Sequence, residues 1–538
     1  MTNWTDHLVI APIVLPLLAG TVLVLLSERR RKLRAGIALA SAVMLLAVAI
    51  VLVGVADSPG DAVRVYRLGN WPSFFAIVLV LDRLSAMMVA LVAVLGLAAL
   101  VFSLARWQGA GAHFHPLLQF QLMGLNGAFL TGDLFNLFVF FEVMLAASYG
   151  LALHGSGPAR VRAGLHYIAV NLVASLLFLI GVSVLYGVGG TLSMADLAMR
   201  IPAVAAEDRA LVEAGAAVLG LAFLVKAAMW PLGFWLPGTY AAAGAPSAAV
   251  LSILSKVGIC AILRLWLMLF GDGAAHSAGF GGTWLMAGGL ATIAFGSIAV
   301  LATQDFSRLA GASVLVSSGT LLAAIGAGLP GVTAGALYYL VSSVLAIGAF
   351  FLLVELVERG REVGADVLAV TREAFGTQRE ETDPEDMQAV DAPIPGAMAV
   401  LGGAFLCCAL LLAGLPPLSG FLAKFAILAP LLAAASGGLP PLTWLLLAAL
   451  ILSGLATLIA LLRAGIEAFW TSPPTSPPRV AALEAGPIVA LLALALGLTV
   501  LGGPAMQYMS ETASALHAPR SYIEGVLPSS GAPAERSP

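Results

Sequence analysis

The sequence predicts an all-α membrane protein that crosses the bilayer about 14 times. Of its 538 residues, 60% are hydrophobic and only 10% are charged, whereas a soluble domain has about 25% charged residues. The mean hydropathy is +1.00. Apolar stretches of about 20 residues, long enough for a helix to cross a hydrocarbon core of about 30 Å, recur along the chain. The predicted spans cover approximately 8–26, 35–56, 75–104, 115–131, 134–153, 164–186, 211–240, 245–271, 283–302, 307–328, 332–357, 394–436, 442–466 and 480–502.

A basic cluster gives the predicted orientation. Arg29, Arg30, Arg31, Lys32 and Arg34 follow the first span instead of preceding it, so this span does not have the pattern of a cleavable signal. By the positive-inside rule the cluster is cytoplasmic and the N-terminus is extracytoplasmic. With this anchor, cytoplasmic connections carry 15 of the 26 basic residues, the opposite side carries six, and five lie inside predicted spans. The same count predicts an extracytoplasmic C-terminus.

Composition and motifs exclude several classes of function. A net charge of −3 provides no basic field for nucleic acid, and the chain has no glycine-rich nucleotide loop of the Walker or Rossmann type. Cys260, Cys407 and Cys408 lie in apolar runs without metal-ligand spacing, so we expect them to be packing residues. We therefore expect no cofactor and no metal, and an energy source in an ion gradient or a partner subunit.

The seventh and twelfth predicted spans are interrupted by proline and glycine beside a lysine, in residues 226–238 and 414–424. Proline removes a backbone donor, and such a break persists in a bilayer only where protein or a water-filled cavity satisfies the freed groups. Spans five apart in the chain cross the membrane in opposite directions. The two breaks therefore predict two inverted five-helix repeats, which are typical of secondary transporters.

These patterns divide the chain into four parts. They are spans 1–3 in residues 1–112, a first repeat of spans 4–8 in 113–275, a second repeat of spans 9–13 in 283–470, and span 14 with an extracytoplasmic tail in 480–538. The charged stretch 358–395 is predicted to be a solvated cytoplasmic loop or a subunit contact. The tail from about residue 503 is rich in Pro, Ser and Ala, and we expect it to be mobile.

Three of the four lysines, Lys226, Lys256 and Lys424, lie inside apolar segments. A buried lysine can release its proton at accessible pH, whereas a guanidinium stays charged, so this choice of residue indicates proton handling. Glu142 lies about eight residues, or roughly 12 Å, from either end of span 5, too deep to reach the interface. We predict that Glu142 pairs with Lys226 as a switch, and that Lys256 and Lys424 pass the proton on. The structural alternative is a static ion pair with lysines that reach towards the interface.

Asp133, His154 and His166 are weaker candidates for proton uptake or relay. Asp133 lies in the short turn before span 5. The two histidines lie near the cytoplasmic ends of spans 5 and 6, where anchoring at the interface is an equally good interpretation. Asp82 and Arg83 are expected to form an interfacial pair with each other.

Two further sets of polar residues lie within predicted spans. Arg264 is expected to be a structural partner for a carbonyl or an acid. Four serines on spans 10 and 11 could hold water, although helix packing by small residues is the favoured interpretation: Ser317, Ser318, Ser342 and Ser343.

Four segments together resemble the motifs of the antiporter-like subunit family. They are Thr131-Gly-Asp-Leu-Phe-Asn-Leu-Phe-Val-Phe-Phe-Glu142-Val-Met-Leu, Leu224-Val-Lys226-Ala-Ala-Met-Trp-Pro-Leu-Gly-Phe-Trp-Leu-Pro-Gly238, Leu254-Ser-Lys256-Val-Gly-Ile and Gly414-Leu-Pro-Pro-Leu-Ser-Gly-Phe-Leu-Ala-Lys424-Phe. This family includes the proton-pumping membrane subunits of respiratory complex I and the large subunits of Mrp-type multisubunit cation/proton antiporters. The resemblance covers roughly residues 75–470 and is strongest to the D subunits of the Mrp type.

The resemblance implies a 14-helix fold with two inverted repeats, a hydrated polar axis and a hetero-oligomeric complex. It also matches Glu142, Lys226, Lys256 and Lys424 to the family's proton-conducting residues on helices 5, 7, 8 and 12. One departure is that related subunits often carry histidine or lysine on helix 10 or 11, where this chain has serines and two tyrosines. A relay between Lys256 and Lys424 is therefore expected to depend more on water.

The leading hypothesis is a proton-conducting subunit of a Na⁺ or K⁺/H⁺ antiporter in the bacterial cell membrane, a transporter subunit rather than an enzyme. Its expected partners are small membrane subunits, the transported ions and lipid. The nearest alternative is a proton-pumping subunit of a complex I-like oxidoreductase, and a third is a membrane scaffold in a hydrogenase-like assembly. Neighbouring genes for small membrane subunits would favour the antiporter, and genes for Fe–S and flavin subunits would favour the redox enzymes.

Overall fold

The computed structural model describes residues 6–58, 63–71, 77–107, 113–375, 396–434, 441–469 and 480–527, and most of this part of the chain is helical. The N-terminal elements are α1 (Ala11–Leu25), α2 (Arg31–Ala56), β1 (Arg64–Arg67), β2 (Val78–Leu81), α3 (Arg83–Ser103), α4 (Phe114–Leu130), α5 (Leu134–Leu153), α6 (Pro158–Gly189) and α7 (Met194–Arg200). The central elements are α8 (Arg209–Lys226), α9 (Trp235–Ala242), α10 (Ala245–Leu251), α11 (Leu254–Phe270), α12 (Gly282–Ala302), α13 (Phe306–Gly326) and α14 (Pro330–Phe375). The C-terminal helices are α15 (Gly396–Ala413), α16 (Ser419–Ala433), α17 (Pro441–Phe469), α18 (Ala482–Val500), α19 (Gly502–His517) and α20 (Arg520–Val526).

The described helices confirm the predicted polytopic fold. Eleven helical segments in the described ranges are long and apolar enough to cross a membrane, with α10 and α11 counted as one segment. The other three spans are α1, α4 and α8, which are shorter or more polar. When α8 is joined to α9 and α15 to α16 as interrupted spans, the described part of the chain contains the predicted 14. The assignment of spans 4–8 and 9–13 to inverted repeats stays a prediction.

A short antiparallel pair of strands departs from the all-α architecture. Arg64 of β1 pairs with Leu81 of β2, and Arg67 pairs with Val78. The third span was predicted to begin near residue 75, but α3 begins only at Arg83, where the Asp82 carboxylate accepts a hydrogen bond from the Ser85 N–H. The short apolar strand 78–81 is fully buried. Apolar periodicity alone does not distinguish such a strand from the first turn of an apolar helix.

Two segments predicted to be irregular are helical. The predicted loop at 358–395 begins as a continuation of α14, which reaches Phe375, and residues 376–395 lie outside the described part. The predicted mobile tail from residue 503 instead forms α19 and α20. The Tyr508 hydroxyl of α19 donates a hydrogen bond to the Arg83 carbonyl (2.8 Å), and the Arg83 guanidinium pairs with Glu511 at 2.7 Å. Composition suggested a disordered end, but these tertiary contacts order the segment up to α20.

The most buried spans lie at the centre of the bundle. The most apolar windows of α13 and α14 are 94% and 89% buried within the protein, against 33% for α2, α15 and α18. The central helices therefore face other helices on all sides, and the peripheral helices present apolar side chains outward. Polar side chains on α11, α13 and α14 consequently lie in the interior, away from the outward-facing apolar surface.

Candidate functional site

Lys226 lies at the edge of the break in the seventh span. α8 ends at Lys226, and the chain turns before α9 begins at Trp235. The Lys226 side chain is 4% exposed, its Nζ lies 5.0 Å from the centre of the Phe141 ring, and it has no hydrogen-bond partner among the described residues. An ammonium group held by an aromatic face instead of a hydrogen bond can change partners at little cost.

Glu142 on α5 begins a row of polar side chains between α5 and α6. Its carboxylate accepts a hydrogen bond from the Ser175 hydroxyl on α6. Asn171 and Tyr167 precede Ser175 on α6 at intervals of four residues, so the three side chains share one helix face. The Tyr167 and Ser148 hydroxyls are hydrogen-bonded at 2.7 Å, which joins the row to α5 again. Polar groups thus continue from Glu142 along the α5–α6 contact.

The predicted ion pair between Glu142 and Lys226 is not formed in this structure. The described residues contain no salt bridge between them, and the lysine instead faces the Phe141 ring. Consecutive residues on an α-helix point about 100° apart, so a group against Phe141 does not also face Glu142 directly.

Lys256 is completely buried near the start of α11. Its Nζ donates to the Ser318 hydroxyl on α13 at 3.4 Å, and its exposed fraction is 0%. α10 and α11 meet at a short break at residues 252–253, which places Lys256 one turn into the continuous part of the span. Ser318 thus does more than pack between helices, because its hydroxyl is a direct hydrogen-bond partner of Lys256.

Serine hydroxyls join α13, α14 and α16 in the region between Lys256 and Lys424. The Ser317 hydroxyl donates to Ser343 at 3.0 Å, and the Ser342 and Ser419 hydroxyls are hydrogen-bonded at 2.8 Å. A cavity of about 20 Å³ lies among these groups and has room for about one water molecule. Ser317, Ser342 and Ser343 line it together with Tyr339. The region predicted to depend on water therefore contains hydroxyl pairs and a water-sized space.

Lys424 lies after the break in the twelfth span, whereas Lys226 precedes the break in the seventh. The Lys424 Nζ donates a hydrogen bond to the carbonyl of Ala413, the last residue of α15, at 2.9 Å. This carbonyl is one of those that a helix end leaves without a partner in its own helix. Gly454 on α17 provides the space for the ammonium group, because a Cβ there would lie 2.9 Å from Nζ.

The three weaker candidates have structural contacts. The Asp133 carboxylate caps α5 by accepting the Asn136 N–H at 2.9 Å, and burial raises the pKa of this carboxyl. The His154 ring is 5% exposed, and its Nε2 lies 3.2 Å from the Trp107 carbonyl oxygen. His166 is exposed on α6 and packs edge-on against Phe234. Their roles in proton uptake or relay stay predictions.

Asp82 and Arg83 do not form the predicted pair with each other. The Asp82 carboxylate accepts two hydrogen bonds from the Arg264 guanidinium, at 2.8 and 2.9 Å, so of the two predicted kinds of partner for Arg264, a carbonyl or an acid, the structure has the acid. Arg83 turns away and pairs with Asp57 and Glu511. Asp82 is the N-cap of α3, and adjacent side chains at a helix start point in different directions.

Two features of the site were not predicted: the row of Ser175, Asn171 and Tyr167 on α6, and the space provided by Gly454. The row has a detectable signal, because three polar residues spaced by four in an otherwise apolar span share one face. Gly454 has no such signal, because its role depends on the approach of a side chain from another helix.

The family comparison covers the whole candidate site. A family model described as "NADH:quinone oxidoreductase/Mrp antiporter, TM" matches residues 131–456. This range contains Glu142, Lys226, Lys256 and Lys424, together with the serines between the last two.

Curated relatives and one solved complex match almost the full chain. A protein of Rhizobium meliloti, named as the D subunit of a probable K⁺/H⁺ antiporter, is 58% identical over 98% of this chain and 98% of its own length. The D subunit of the Na⁺/H⁺ antiporter of Alkalihalophilus pseudofirmus is 35% identical over 97% of this chain and 99% of its own length. A chain in the structure of the Mrp complex from Dietzia sp. superposes with a TM-score of 0.81 at 27% identity, over 98% of this chain and 100% of that one.

Proposed function

The chain belongs to the NADH:quinone oxidoreductase/Mrp antiporter family of transmembrane subunits, and from this premise we propose that it is the proton-conducting subunit of a multisubunit K⁺ or Na⁺/H⁺ antiporter. The names of its K⁺/H⁺ and Na⁺/H⁺ antiporter relatives support this function. The observation that carries it is the set of polar groups between the buried Lys256 and the half-buried Lys424: hydrogen-bonded serines and a water-sized cavity.

The first half of the proposed route is the switch formed by Glu142 and Lys226. In this structure the two groups are apart, with Glu142 held by Ser175 and Lys226 held by the Phe141 ring. Pairing with the carboxylate favours the charged lysine, and separation in a buried site favours release of its proton. Movement of Lys226 between Phe141 and Glu142 therefore changes how strongly the lysine holds its proton.

The second half of the route runs from Lys256 to Lys424. A proton leaving Lys256 passes to Ser318, across the water-sized cavity to the hydroxyls of α14 and α16, and on to Lys424. A hydroxyl both donates and accepts a hydrogen bond, so it can pass a proton on without carrying a net charge. Serines thus replace an ionisable group at the centre of this route.

Coupling requires other subunits. A proton that moves inward through 100 mV releases about 2.3 kcal/mol, and export of one monovalent cation through the same potential costs the same amount, so export is driven by a pH gradient or by more than one proton per cation. The described residues contain no cluster of three or more Asp, Glu, His or Cys side chains placed to hold a metal ion. We infer that the cation crosses through a partner subunit or at a subunit interface, and that the complex serves pH and salt homeostasis in a bacterial cell membrane.

The charged ends of the bundle support the proposed orientation. Arg359 pairs with Glu484 and Glu355 at one end, in the proposed cytoplasm. Arg83 and Glu511 pair at the other end, which is extracytoplasmic in the proposed orientation. This arrangement agrees with the excess of basic residues in the cytoplasmic connections.

Transport in everted vesicles that contain the intact complex tests the proposal. Addition of K⁺ or Na⁺ should dissipate an imposed proton gradient, and the Lys256→Ala variant should assemble without dissipating it. A gradient that responds to neither cation would contradict the antiporter function. Proton movement that instead requires NADH and quinone would identify the oxidoreductase alternative.

A further inference from the structure

Arg264 and Asp82 form a buried ion pair near the extracytoplasmic ends of α3 and α11. Two hydrogen bonds of 2.8 and 2.9 Å join the guanidinium to the carboxylate. The Arg264 and Asp82 side chains are only 8% and 14% exposed. Because a buried charge that loses its partner is costly, this pair stays closed unless something replaces one of the partners. The route from Lys256 to Lys424 does not use it.

Two small cavities meet at this pair. The outer cavity, of about 30 Å³, is lined by Asp82, Arg264, Tyr522 and other residues. The inner cavity, of about 20 Å³, is lined by Arg264, Cys260 and Thr131 among others. Each has room for about one or two water molecules. Arg264 borders both cavities, so the ion pair separates two water-sized spaces.

The inner cavity reaches Cys260, which lies one helical turn from Lys256 on α11. Lys256, Cys260 and Arg264 follow one another on α11 at intervals of four residues and lie on one helix face. The distance along the axis from Arg264 to Lys256 is about 12 Å at 1.5 Å per residue. Water in the inner cavity would thus lie beside Cys260, one turn from the lysine.

The C-terminal helices cover the outer cavity. The Arg264 guanidinium lies 5.1 Å from the centre of the Tyr522 ring of α20, and Thr512 of α19 lines the cavity wall. α19 is held to the start of α3 by the contacts of Tyr508 and Glu511 with Arg83. α19 and α20 therefore form a lid over this space.

We propose that the Asp82–Arg264 pair is an extracytoplasmic, proton-selective gate through which protons reach Lys256. This inference rests on the proposed function. Asp82 accepts a proton from water in the outer cavity, and its neutral form releases Arg264, whose movement joins the two cavities. Asp82 then gives the proton to water on the inner side and pairs with Arg264 again, and the proton continues through water beside Cys260 to Lys256. The guanidinium keeps its charge throughout and repels Na⁺ and K⁺ in a site of low dielectric. The gate thus passes protons and excludes the cations that the complex exports.

Silver ion is a suitable probe, because it is a monovalent cation that binds a thiol with release of the thiol proton. Cys407→Ser with Cys408→Ser leaves Cys260 as the only cysteine of the three in this chain. Right-side-out vesicles holding the complex are exposed to Ag⁺ in chloride-free buffer and passed through a desalting column. The free Cys260 thiol is then alkylated after unfolding and quantified by mass spectrometry.

If the pair is the gate, Ag⁺ should bind Cys260 slowly in the parent and in Arg264→Lys. In Arg264→Gln it should bind at least about tenfold faster, because only this variant loses the repelling charge. Asp305→Asn keeps a cap for α13 but removes a charge at a distant N-cap, and it is the control, with slow binding expected. Equal rates in Arg264→Gln and the parent, or equally fast binding in Arg264→Lys and Arg264→Gln, would overturn the proposal.

Asp82→Asn provides a second test that does not depend on the stability of Arg264→Gln. It keeps a cap for Ser85 and the charge of Arg264, so silver binding should stay slow while cation-driven proton transport falls by about tenfold or more. Transport at the parent's rate in Asp82→Asn would refute the gate. Transport by the parent itself reports on the proposed function separately, whatever the Cys260 labelling shows.

Discussion

Replacement of Lys256 by arginine tests whether this residue passes protons on or contributes only a fixed positive charge. Arginine keeps the positive charge and can donate to Ser318 as the lysine does at 3.4 Å. Free arginine, however, has a pKa at least about two units above that of free lysine, so at any pH well below the lysine pKa its neutral form is at least about 100-fold rarer. If transport requires Lys256 to lose its proton in each cycle, Lys256→Arg should transport about 100-fold more slowly or worse.

The packing effect of the larger side chain must be separated from the proton effect. Lys256 is fully buried, and overpacking of a core position costs about 1–3 kcal/mol. Lys256→Met, which is neutral and similar in size, controls for assembly, and Lys32→Arg controls for the exchange itself at an exposed site. Assembly is measured by co-purification of the complex, and transport by cation-driven dissipation of the proton gradient. An assembled Lys256→Arg complex that transports as fast as the parent would refute the relay.

Two further predictions concern the second half of the route. Ser317→Ala combined with Ser343→Ala should slow transport by more than about tenfold. Ser317→Thr combined with Ser343→Thr, which keeps both hydroxyls, should transport at the parent's rate. Equal rates in the Ala pair and the Thr pair would show that these serines only pack. Gly454→Ala would place a Cβ 2.9 Å from the Lys424 Nζ. It should reduce transport and lower the free energy of unfolding by about 1–3 kcal/mol. Gly486→Ala, where no atom lies within 4 Å of the new Cβ, should leave both measurements unchanged.

The membrane fold was predictable because the bilayer imposes few solutions. A chain with 60% hydrophobic residues must place its backbone polar groups in helices that span the membrane. The breaks beside Lys226 and Lys424 were equally visible, since proline at membrane depth cannot continue a regular helix. The pairing of β1 with β2 and the helices α19 and α20 were not, because they depend on contacts between residues far apart in the chain, such as Arg64 with Leu81 and Arg83 with Glu511.

The chemical identity of the site residues was predictable, but their partners were not. The positions of Glu142 and Lys226 within their apolar spans are enough to identify them as charges inside the membrane. Which group each one contacts depends on the rotation of α5 and α8 about their axes, and this rotation places Phe141, not Glu142, against the lysine. For the same reason Asp82 pairs with Arg264, which is 182 residues away in the chain, and not with its neighbour Arg83.

The arrangement of lysine and arginine in the interior divides two tasks that a proton-conducting subunit must combine. Lys256 can alternate between charged and neutral forms, so it can belong to a relay; Arg264, eight residues later on the same face of α11, stays charged. A permanent charge in the middle of the relay would block it, whereas the same charge at its outer end would repel Na⁺ and K⁺. Exchange of the two residue types between these positions should therefore abolish proton transfer, because an arginine at position 256 would keep its proton, but should preserve cation exclusion, because a lysine at position 264 still carries the repelling charge.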